Sequence, residues 1–360
     1  MKEENLRKDT ILDSLKIIAP GTLLREGLDN IVKANTGALI VVGDSEEVME
    51  IVDGGFNINS EFTPASLYEL AKMDGAIILS EDKKRILFAN AQLVPDSSIT
   101  SRETGTRHRT AERVAKQTGK LIISISQRRS VITLYKGNYK YVLKDVNEIL
   151  NKANQAIQTL EKYKAVLNQA MSNLSVLEFE NLVTVYDVTK VLQRTEMLMR
   201  VVIEIEKYIL ELGNEGRLID MQLEELTGES EEDGLNVIRD YYLPQKGKDY
   251  IDIRREISKL SSSDELLHLT NIARILGYDD NINTLDLNVS PKGYRILSKI
   301  PRLPSNVLEN VIEMFSSLQD ILKASISQLD AVEGIGEVRA RSIKEGLRRF
   351  QEQSLLDRHI

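Results

Sequence analysis

The sequence has no cysteine among its 360 residues. This absence excludes a disulfide scaffold, a thiol nucleophile and any zinc site that uses cysteine. The three histidines, His108, His268 and His359, lie far apart and show no metal-ligand spacing. No stretch approaches the roughly 18 uncharged apolar residues that a membrane span needs. The charged N-terminus MKEENLRKDT is not a secretory signal, so we expect a cytoplasmic protein with no membrane partner.

Two common phosphate-binding patterns are also missing, since the chain contains neither GxxxxGK[ST] nor GxGxxG after a strand. The net charge of −8 argues against a protein that coats nucleic acid through bulk positive charge. Any contact with DNA must therefore be local and must use backbone amides and a small basic patch.

The length predicts two or three domains, and the pattern of residues changes twice along the chain. We place the domains at residues 1–145, 146–290 and 291–360. In the first, runs rich in Val, Ile and Leu alternate with helical patterns, which predicts a mixed sheet covered by helices. The expected strands are 37–43, 75–80, 85–93, 120–126 and 131–143. The expected helices are 22–35, 64–73 and 109–119, the last ending at Gly119.

The middle region has no convincing strand pattern, so the fold class is a multidomain protein with an α/β part and an all-α part. Asp145 is placed to cap a long helix, and a second helical pattern covers about 178–212 and ends at Gly213. These helices suggest a spacer or bundle. An acidic cluster at 224–233 is expected to be a solvated face or loop.

The C-terminal region contains a weak internal repeat with an offset of 32 residues, in which 300–304 aligns with 332–336. The second copy, within SISQLDAVEGIGEVRARSIKEGLRRF, is typical of a helix-hairpin-helix unit. Its second helix is expected to bury Val338, Ile343 and Leu347. A glycine hairpin lets the backbone approach a phosphate, and the amides of the following helix then face the anion. The predicted DNA-binding residues are Gly334, Ile335, Gly336, Arg339, Arg341 and Lys344.

These contacts would reach the sugar-phosphate backbone and carry little base information. A simple helix-helix turn is the alternative interpretation. The first copy of the repeat lacks the glycines, so we assign it a mainly structural role.

Two short motifs in the N-terminal region suggest chemistry. Asp74-Gly75-Ala76 lies where a helix gives way to a strand, so a carboxylate there can bind a divalent cation while glycine leaves room for a ligand. The run 104–110, TGTRHRT, places two arginines, a histidine and hydroxyls at a helix start, which suits a triphosphate. Each motif also has an ordinary interpretation, as a turn and as a solvated basic patch.

The combination of DGA with the later RHRTAERVA resembles the diadenylate cyclase (DAC) domain family. The order of a cyclase domain, a helical spacer and a helix-hairpin-helix domain strengthens the resemblance, which extends over essentially the whole chain. It implies condensation of two ATP molecules into cyclic di-AMP with release of two pyrophosphates, using Mg²⁺ or Mn²⁺. The product is two-fold symmetric, so two ATP sites should face each other across a homo-oligomer, which in this family is an octamer.

The resemblance also implies roles for individual residues. Asp74 would bind the metal and orient the attacking 3′-hydroxyl, and Asp74, Arg107, His108 and Arg109 would form the catalytic set. The implied ATP-binding residues are Gly75, Ala76, Leu93, Thr106, Arg107, His108, Arg109, Thr110, Ser126 and Arg128. The main chain around Leu93 would contact the adenine edge, and Thr106 would act through its backbone. We assign His108 to phosphate binding before proton transfer.

On the same analogy, branched or recombination-type DNA would bind the C-terminal domain and reduce cyclase activity, which suggests association with the nucleoid. Two other functions stay open. The chain could be a DNA-structure sensor that binds ATP or cyclic di-AMP without catalysis. It could also be a helix-hairpin-helix repair enzyme, although no carboxylate cluster or catalytic lysine is evident near the hairpin.

Overall fold

The structure, a computed structural model, describes residues 13–245, 247–260 and 263–357. The described chain packs into two compact units. One contains the chain up to Asn154 together with Glu206–Asp220, and the other contains Gln155–Ile205 and the chain from Met221 onward. The three-domain division stays a prediction, because these units report packing and not the boundaries of functional regions.

The first unit is built on one mixed sheet, as predicted. Its strands are β1 (Ala38–Val42), β2 (Val52–Asp53), β3 (Phe56–Glu61), β4 (Ala76–Leu79), β5 (Arg85–Leu93), β6 (Leu121–Ser126), β7 (Val131–Lys136) and β8 (Tyr139–Val142). Their order is β2-β5-β4-β1-β6-β7-β8, and β3 pairs with β5 beside β2. The two central strands β1 and β4 are parallel, and the other pairings are antiparallel.

Helices cover both faces of this sheet: α1 (Leu23–Lys33), α2 (Glu46–Met49), α3 (Pro64–Leu70) and α4 (Thr106–Thr118). On one face, α1 and α3 pack leucines and isoleucines against Ile40 and Ile123. On the other, α2 and α4 pack against Val41, Ile78 and Tyr135. The central strands are buried on both faces, which explains their continuous Val, Ile and Leu runs.

The predicted strands agree with the structure except at the last run. The 131–143 segment, predicted as one strand, is a hairpin of β7 and β8, because Gly137 turns the chain with a φ of 55°. The short strands β2 and β3 were not predicted. Their side chains are mostly exposed, so they show no apolar pattern.

The chain after the sheet is helical. Its first helices are α5 (Val146–Glu180), α6 (Val185–Leu212), α7 (Arg217–Thr227), α8 (Ser230–Tyr241), α9 (Tyr250–Leu260) and α10 (Leu269–Leu276). Three short 3₁₀ helices lie at Gly213–Gly216, Asp264–Leu267 and Ile282–Asp286. The predicted cap is confirmed, because Asp145 Oδ1 accepts hydrogen bonds from the N–H groups of Asn147 (2.8 Å) and Glu148 (3.3 Å).

The acidic cluster is more than a solvated face. Lys299 forms ion pairs with Glu229 (2.8 Å) and Asp233 (2.6 Å), and Arg254 lies 3.5 Å from Glu231. Five of its six acidic residues are exposed, so the expectation of a solvated face is confirmed, and some of its carboxylates also form ion pairs within the second unit.

The C-terminal helices are α11 (Tyr294–Ser298), α12 (Ser305–Phe315), α13 (Leu318–Lys323), α14 (Ile326–Asp330) and α15 (Glu337–Asp357). Ile343 and Leu347 are buried as predicted, but Val338 is 82% exposed. Ala340 takes the inward position instead. Val338 lies two residues before it, about 200° around the helix, and therefore points to solvent.

Candidate nucleotide site

A cavity of about 580 Å³ opens where the carboxyl end of β5 meets the start of α4. It is lined by Leu39, Gly75, Ala76, Asn90, Ala91, Gln92, Leu93, Thr106, Arg107 and Thr110. Six of these were predicted nucleotide-binding residues, and the structure brings them together although they come from three separate parts of the chain. The volume lies in the range of pockets that enclose small-molecule ligands.

The wall beside Gly75 depends on close packing between backbones. Gly75 has a φ of 95°, and a Cβ there would lie 2.8 Å from the carbonyl carbon of Asn90 and 2.9 Å from the Ala91 oxygen. Asn90 itself has a φ of 52°, within the part of β5 whose register with β4 shifts. This irregularity turns Asn90, Ala91 and Gln92 toward the cavity, and only a three-dimensional structure reveals it.

The opposite wall is the first turn of α4. This helix begins at Thr106, three residues before the predicted start, and its cap residue Gly105 has no side chain to bond the first amides. Uncapped amides at a helix start, together with the helix dipole, favour an anion. Thr106 and Thr110 line the cavity one turn apart.

Arg107, the one arginine of the lining, lies against Gly37. A Cβ on Gly37 would lie 2.1 Å from Arg107 Nη1, 3.0 Å from its Cζ and 3.1 Å from the Ile125 carbonyl oxygen. The guanidinium therefore occupies space that only glycine leaves open. Gly37 therefore lies beside the candidate site, and it was not among the predicted site residues.

His108 and Arg109 lie outside the cavity lining. His108 Nδ1 is 3.0 Å from the hydroxyl of Tyr135, a buried residue of β7. Arg109 is exposed, and its guanidinium donates to the carbonyl oxygens of Glu103 (3.3 Å) and Thr104 (3.5 Å). The residues of the run 104–110 thus lie in three environments. Some line the cavity, His108 contacts the buried Tyr135, and Arg109 is exposed.

Three further predicted residues do not line the cavity. Asp74 is exposed and immediately precedes Gly75. Ser126 ends β6, and Arg128 is exposed in the turn that leads to β7. Among the residues that the structure describes, no group of three or more histidine or acidic side chains could hold a metal ion by itself.

The predicted DNA hairpin has its own geometry in the second unit. Gly334 turns with a φ of 82°, and Arg302, its counterpart at an offset of 32, also has a positive φ of 63°. A second cavity, of about 470 Å³, lies between the two hairpins. It is lined by Ile300, Pro301, Arg302, Leu303, Gly336, Val338, Arg339, Ser342 and Ile343.

The basic side chains of this hairpin differ in their freedom. Arg339 donates to the Gly334 carbonyl oxygen, and Arg341 pairs with Glu337 at 2.5 Å on the exposed side of α15. Lys344 donates to the Leu322 carbonyl oxygen at 2.7 Å and is half-buried, so it caps the end of α13. The hairpin and its two arginines are therefore brought together, while Lys344 is engaged by another helix.

The chain matches two known protein families. Residues 25–139 match the DAC family, described as the DisA bacterial checkpoint controller nucleotide-binding region, and residues 143–285 match the DisA bacterial checkpoint controller linker region. The DNA integrity scanning protein DisA of Clostridium perfringens is 60% identical over 352 residues, 98% of either chain. That of Clostridium botulinum is 58% identical over 348 residues, 97% of this chain and 98% of the relative.

Among solved structures, the chain has a likeness to a double mutant of DacA from Staphylococcus aureus. The two are 21% identical over 42% of this chain and 95% of that one, with a TM-score of 0.28. No helix in the described part of the chain is long and apolar enough to cross a membrane.

Proposed function

The chain belongs to the family of DNA integrity scanning proteins DisA, and from that premise we propose that it condenses two ATP molecules into cyclic di-AMP and two pyrophosphates. The observation that carries the proposal is the cavity in which Gly75 and Ala76 face Arg107 and the uncapped start of α4. Apolar lining from the strands suits an adenine base, and the helix start suits the triphosphate.

The residues of this site would act by positioning and by electrostatics. Each 3′-hydroxyl oxygen loses its proton to solvent and forms a bond to the α-phosphorus of the other ATP. The bond from that phosphorus to the oxygen bridging to the β-phosphate breaks as pyrophosphate leaves. Arg107 and the amides of α4 would stabilise the negative charge on the phosphates and on the departing pyrophosphate. No side-chain nucleophile is needed, because the second ATP supplies the attacking oxygen.

A divalent cation fits the site only if the nucleotide supplies most of its ligands. Asp74 is an exposed carboxylate next to the cavity, and no cluster of protein ligands accompanies it within the described residues. Mg²⁺ commonly binds through one or two carboxylates together with substrate phosphates. We therefore assign Asp74 to Mg²⁺ or Mn²⁺, which would neutralise phosphate charge when bound.

Purified protein incubated with ATP and Mg²⁺ or Mn²⁺ tests this proposal. Mass spectrometry should detect cyclic di-AMP, and Arg107→Ala should lower the rate of its formation by about 10²–10³-fold in a protein that remains folded. Binding of ATP without any product would favour the alternative, a nucleotide-binding DNA sensor. Cleavage of a labelled DNA duplex without cyclic di-AMP would favour a repair enzyme.

The symmetry of the product requires two nucleotides to meet, so we propose that two copies of the site face each other in a homo-oligomer, an octamer on the family analogy. Mixing Asp74→Asn with Arg109→Ala protein should restore some activity if one site uses groups from two chains. The control is each variant mixed with itself. Activity in the mixture that never exceeds the two controls would contradict shared sites.

We also propose that the C-terminal hairpin binds branched DNA and that this binding lowers cyclase activity. Gly334 with its positive φ and the two arginines nearby support contact with a phosphate backbone. Gel shifts with a four-way junction and a linear duplex, run beside a cyclase assay, test both steps. Turnover that is unchanged under saturating junction DNA would refute the coupling, and an unchanged gel shift for Gly334→Ala would refute the hairpin contact.

A further inference from the structure

His108 lies at the end of a chain of polar groups that leads away from the cavity. Its Nδ1 is 3.0 Å from the Tyr135 hydroxyl, and the rings meet edge to face with centroids 6.1 Å apart. Tyr135 is 1% exposed, and the Glu103 carboxylate lies beside its hydroxyl. Glu103 in turn pairs with Lys140 of β8 at 2.5 Å. The order of the chain is therefore Lys140, Glu103, Tyr135 and His108.

The protonation states of these four side chains determine which group donates and which accepts in each hydrogen bond. Burial opposes ionisation of Glu103, but hydrogen bonds from Lys140 and Tyr135 outweigh it and hold the pKa of Glu103 below its ordinary value. Burial and the charge of Glu103 raise the pKa of Tyr135 well above its ordinary value. An ionised carboxylate only accepts hydrogen bonds, so the Tyr135 hydroxyl directs its O–H toward Glu103 as a hydrogen-bond donor. The tyrosine oxygen must then accept from His108, whose proton lies on Nδ1.

A neutral His108 in this tautomer has a bare Nε2, which accepts hydrogen bonds and donates none. Burial lowers the pKa of His108, and so do the charges that face it from Lys140, Arg107 and Arg129, while Glu103 acts in the opposite direction. Phosphate oxygens are also hydrogen-bond acceptors, so the unprotonated Nε2 of a neutral His108 cannot form a hydrogen bond with them. The bare nitrogen can bond to a phosphate only after it gains a proton.

We propose that Glu103 and Tyr135 are positioning residues that hold His108 as its Nδ1–H tautomer and stabilise the imidazolium that forms when a triphosphate binds. One proton from solvent adds to Nε2, which then donates to a phosphate oxygen. The positive ring is stabilised by the Glu103 carboxylate through the Tyr135 hydroxyl. The proposal rests on the proposed function, because it assumes that a triphosphate occupies the neighbouring cavity.

Proton uptake on binding is a direct test. Isothermal titration calorimetry at pH 8, where the triphosphate is fully ionised, would use a non-hydrolysable ATP analogue with Mg²⁺ in buffers of different ionisation enthalpy. We expect the wild-type chain to take up close to one proton per site. Tyr135→Phe and Glu103→Gln should lower this uptake and weaken binding at pH 8 by about 10-fold, the effect of one lost charge-assisted hydrogen bond. The loss should shrink as the pH falls toward 6, where His108 gains its proton more easily.

Matched controls separate this effect from general damage. Tyr141→Phe removes a hydroxyl from β8, where the side chain packs on the opposite face of the sheet. Glu81→Gln breaks an exposed ion pair with Lys120. Both should retain wild-type proton uptake. If Tyr135→Phe does not fold, Glu103→Gln alone carries the test, because Glu103 is only partly buried.

The outcomes are distinguishable from those of the proposed function. If the protein binds no triphosphate, both the proposed function and the proposal for His108 are refuted. A chain that binds the analogue and forms cyclic di-AMP, but takes up no proton, overturns only the proposal for His108. Uptake in both positioning variants equal to that of the wild type also overturns it, since the imidazolium would then need neither residue.

Discussion

Replacing Gly37 with alanine should impair catalysis without unfolding the protein. The new Cβ would lie 2.1 Å from Arg107 Nη1, and Cβ contacts shorter than 3.0 Å are essentially never seen. The guanidinium must therefore move by about 0.9 Å (3.0 − 2.1). Gly37 does not have a positive φ, so alanine causes no backbone strain there. The next atom, the Ile125 carbonyl oxygen at 3.1 Å, needs only a small adjustment.

The size of the effect follows from the role of Arg107. Misplacement of a positioning group by about 1 Å can cost 10²-fold in rate, and loss of one stabilising donor costs about 10²–10³-fold. We expect Gly37→Ala to lower kcat/KM for cyclic di-AMP formation by about 10²-fold, or roughly 2.7 kcal/mol. The midpoint of thermal unfolding should stay close to that of the wild type.

A double-mutant cycle makes this argument refutable. If Gly37→Ala acts only by displacing Arg107, adding it to Arg107→Ala should cause no further loss of kcat/KM. Losses that multiply in the double variant would show that Gly37 acts independently of Arg107. A Gly37→Ala protein with wild-type kcat/KM would show that the position of the guanidinium is unimportant.

Three further predictions concern single residues. Gly75→Ala should lose both ATP binding, measured by calorimetry, and about 1–3 kcal/mol of stability, because its positive φ and its contact with the Asn90 backbone exclude a side chain. Burial raises the pKa of Glu196 to about 7 from its ordinary value of 4.5, so the stability it contributes is complete below pH 4.5 and is lost as the pH rises through 7. Glu196→Gln should remove that slope from urea unfolding curves. Glu178→Ala should lower the free energy of unfolding by about 3–5 kcal/mol, since it leaves the buried guanidinium of Arg295 unpaired, and Glu178→Ala/Arg295→Met should recover part of the loss.

Much of the first unit could be predicted from local pattern. Strand β5 has the predicted bounds, and Gly119 ends α4 in the left-handed conformation as expected. The β7–β8 hairpin was missed although Gly137-Asn138 between two strand-like runs is a recognised turn signal. Strands β2 and β3 carry no such signal, because polar edge strands lack the apolar alternation on which strand prediction depends.

The site was harder to predict because its contacts join residues distant in sequence. The motif around Asp74-Gly75-Ala76 pointed to the correct strand, but the φ of Asn90 that shapes the same wall leaves no trace in composition. Likewise, Tyr135 lies 27 positions from His108 and reads as an ordinary β-strand residue. Only the sheet register brings its hydroxyl beneath the helix.

Helix geometry shows that the basic run at 106–110 is not a single ligand-facing surface. Successive residues of an α-helix are about 100° apart, so five consecutive residues point in different directions and cannot all line one cavity wall. Thr106, Arg107 and Thr110 line the cavity, whereas His108 turns toward Tyr135 and Arg109 extends outward. In the proposed oligomer, a second copy of the chain would bring its nucleotide toward this surface, where the exposed Arg109 could contact it. For this reason the mixing experiment pairs Asp74 with Arg109 and not with Arg107, which lines the cavity of its own chain with its guanidinium against Gly37.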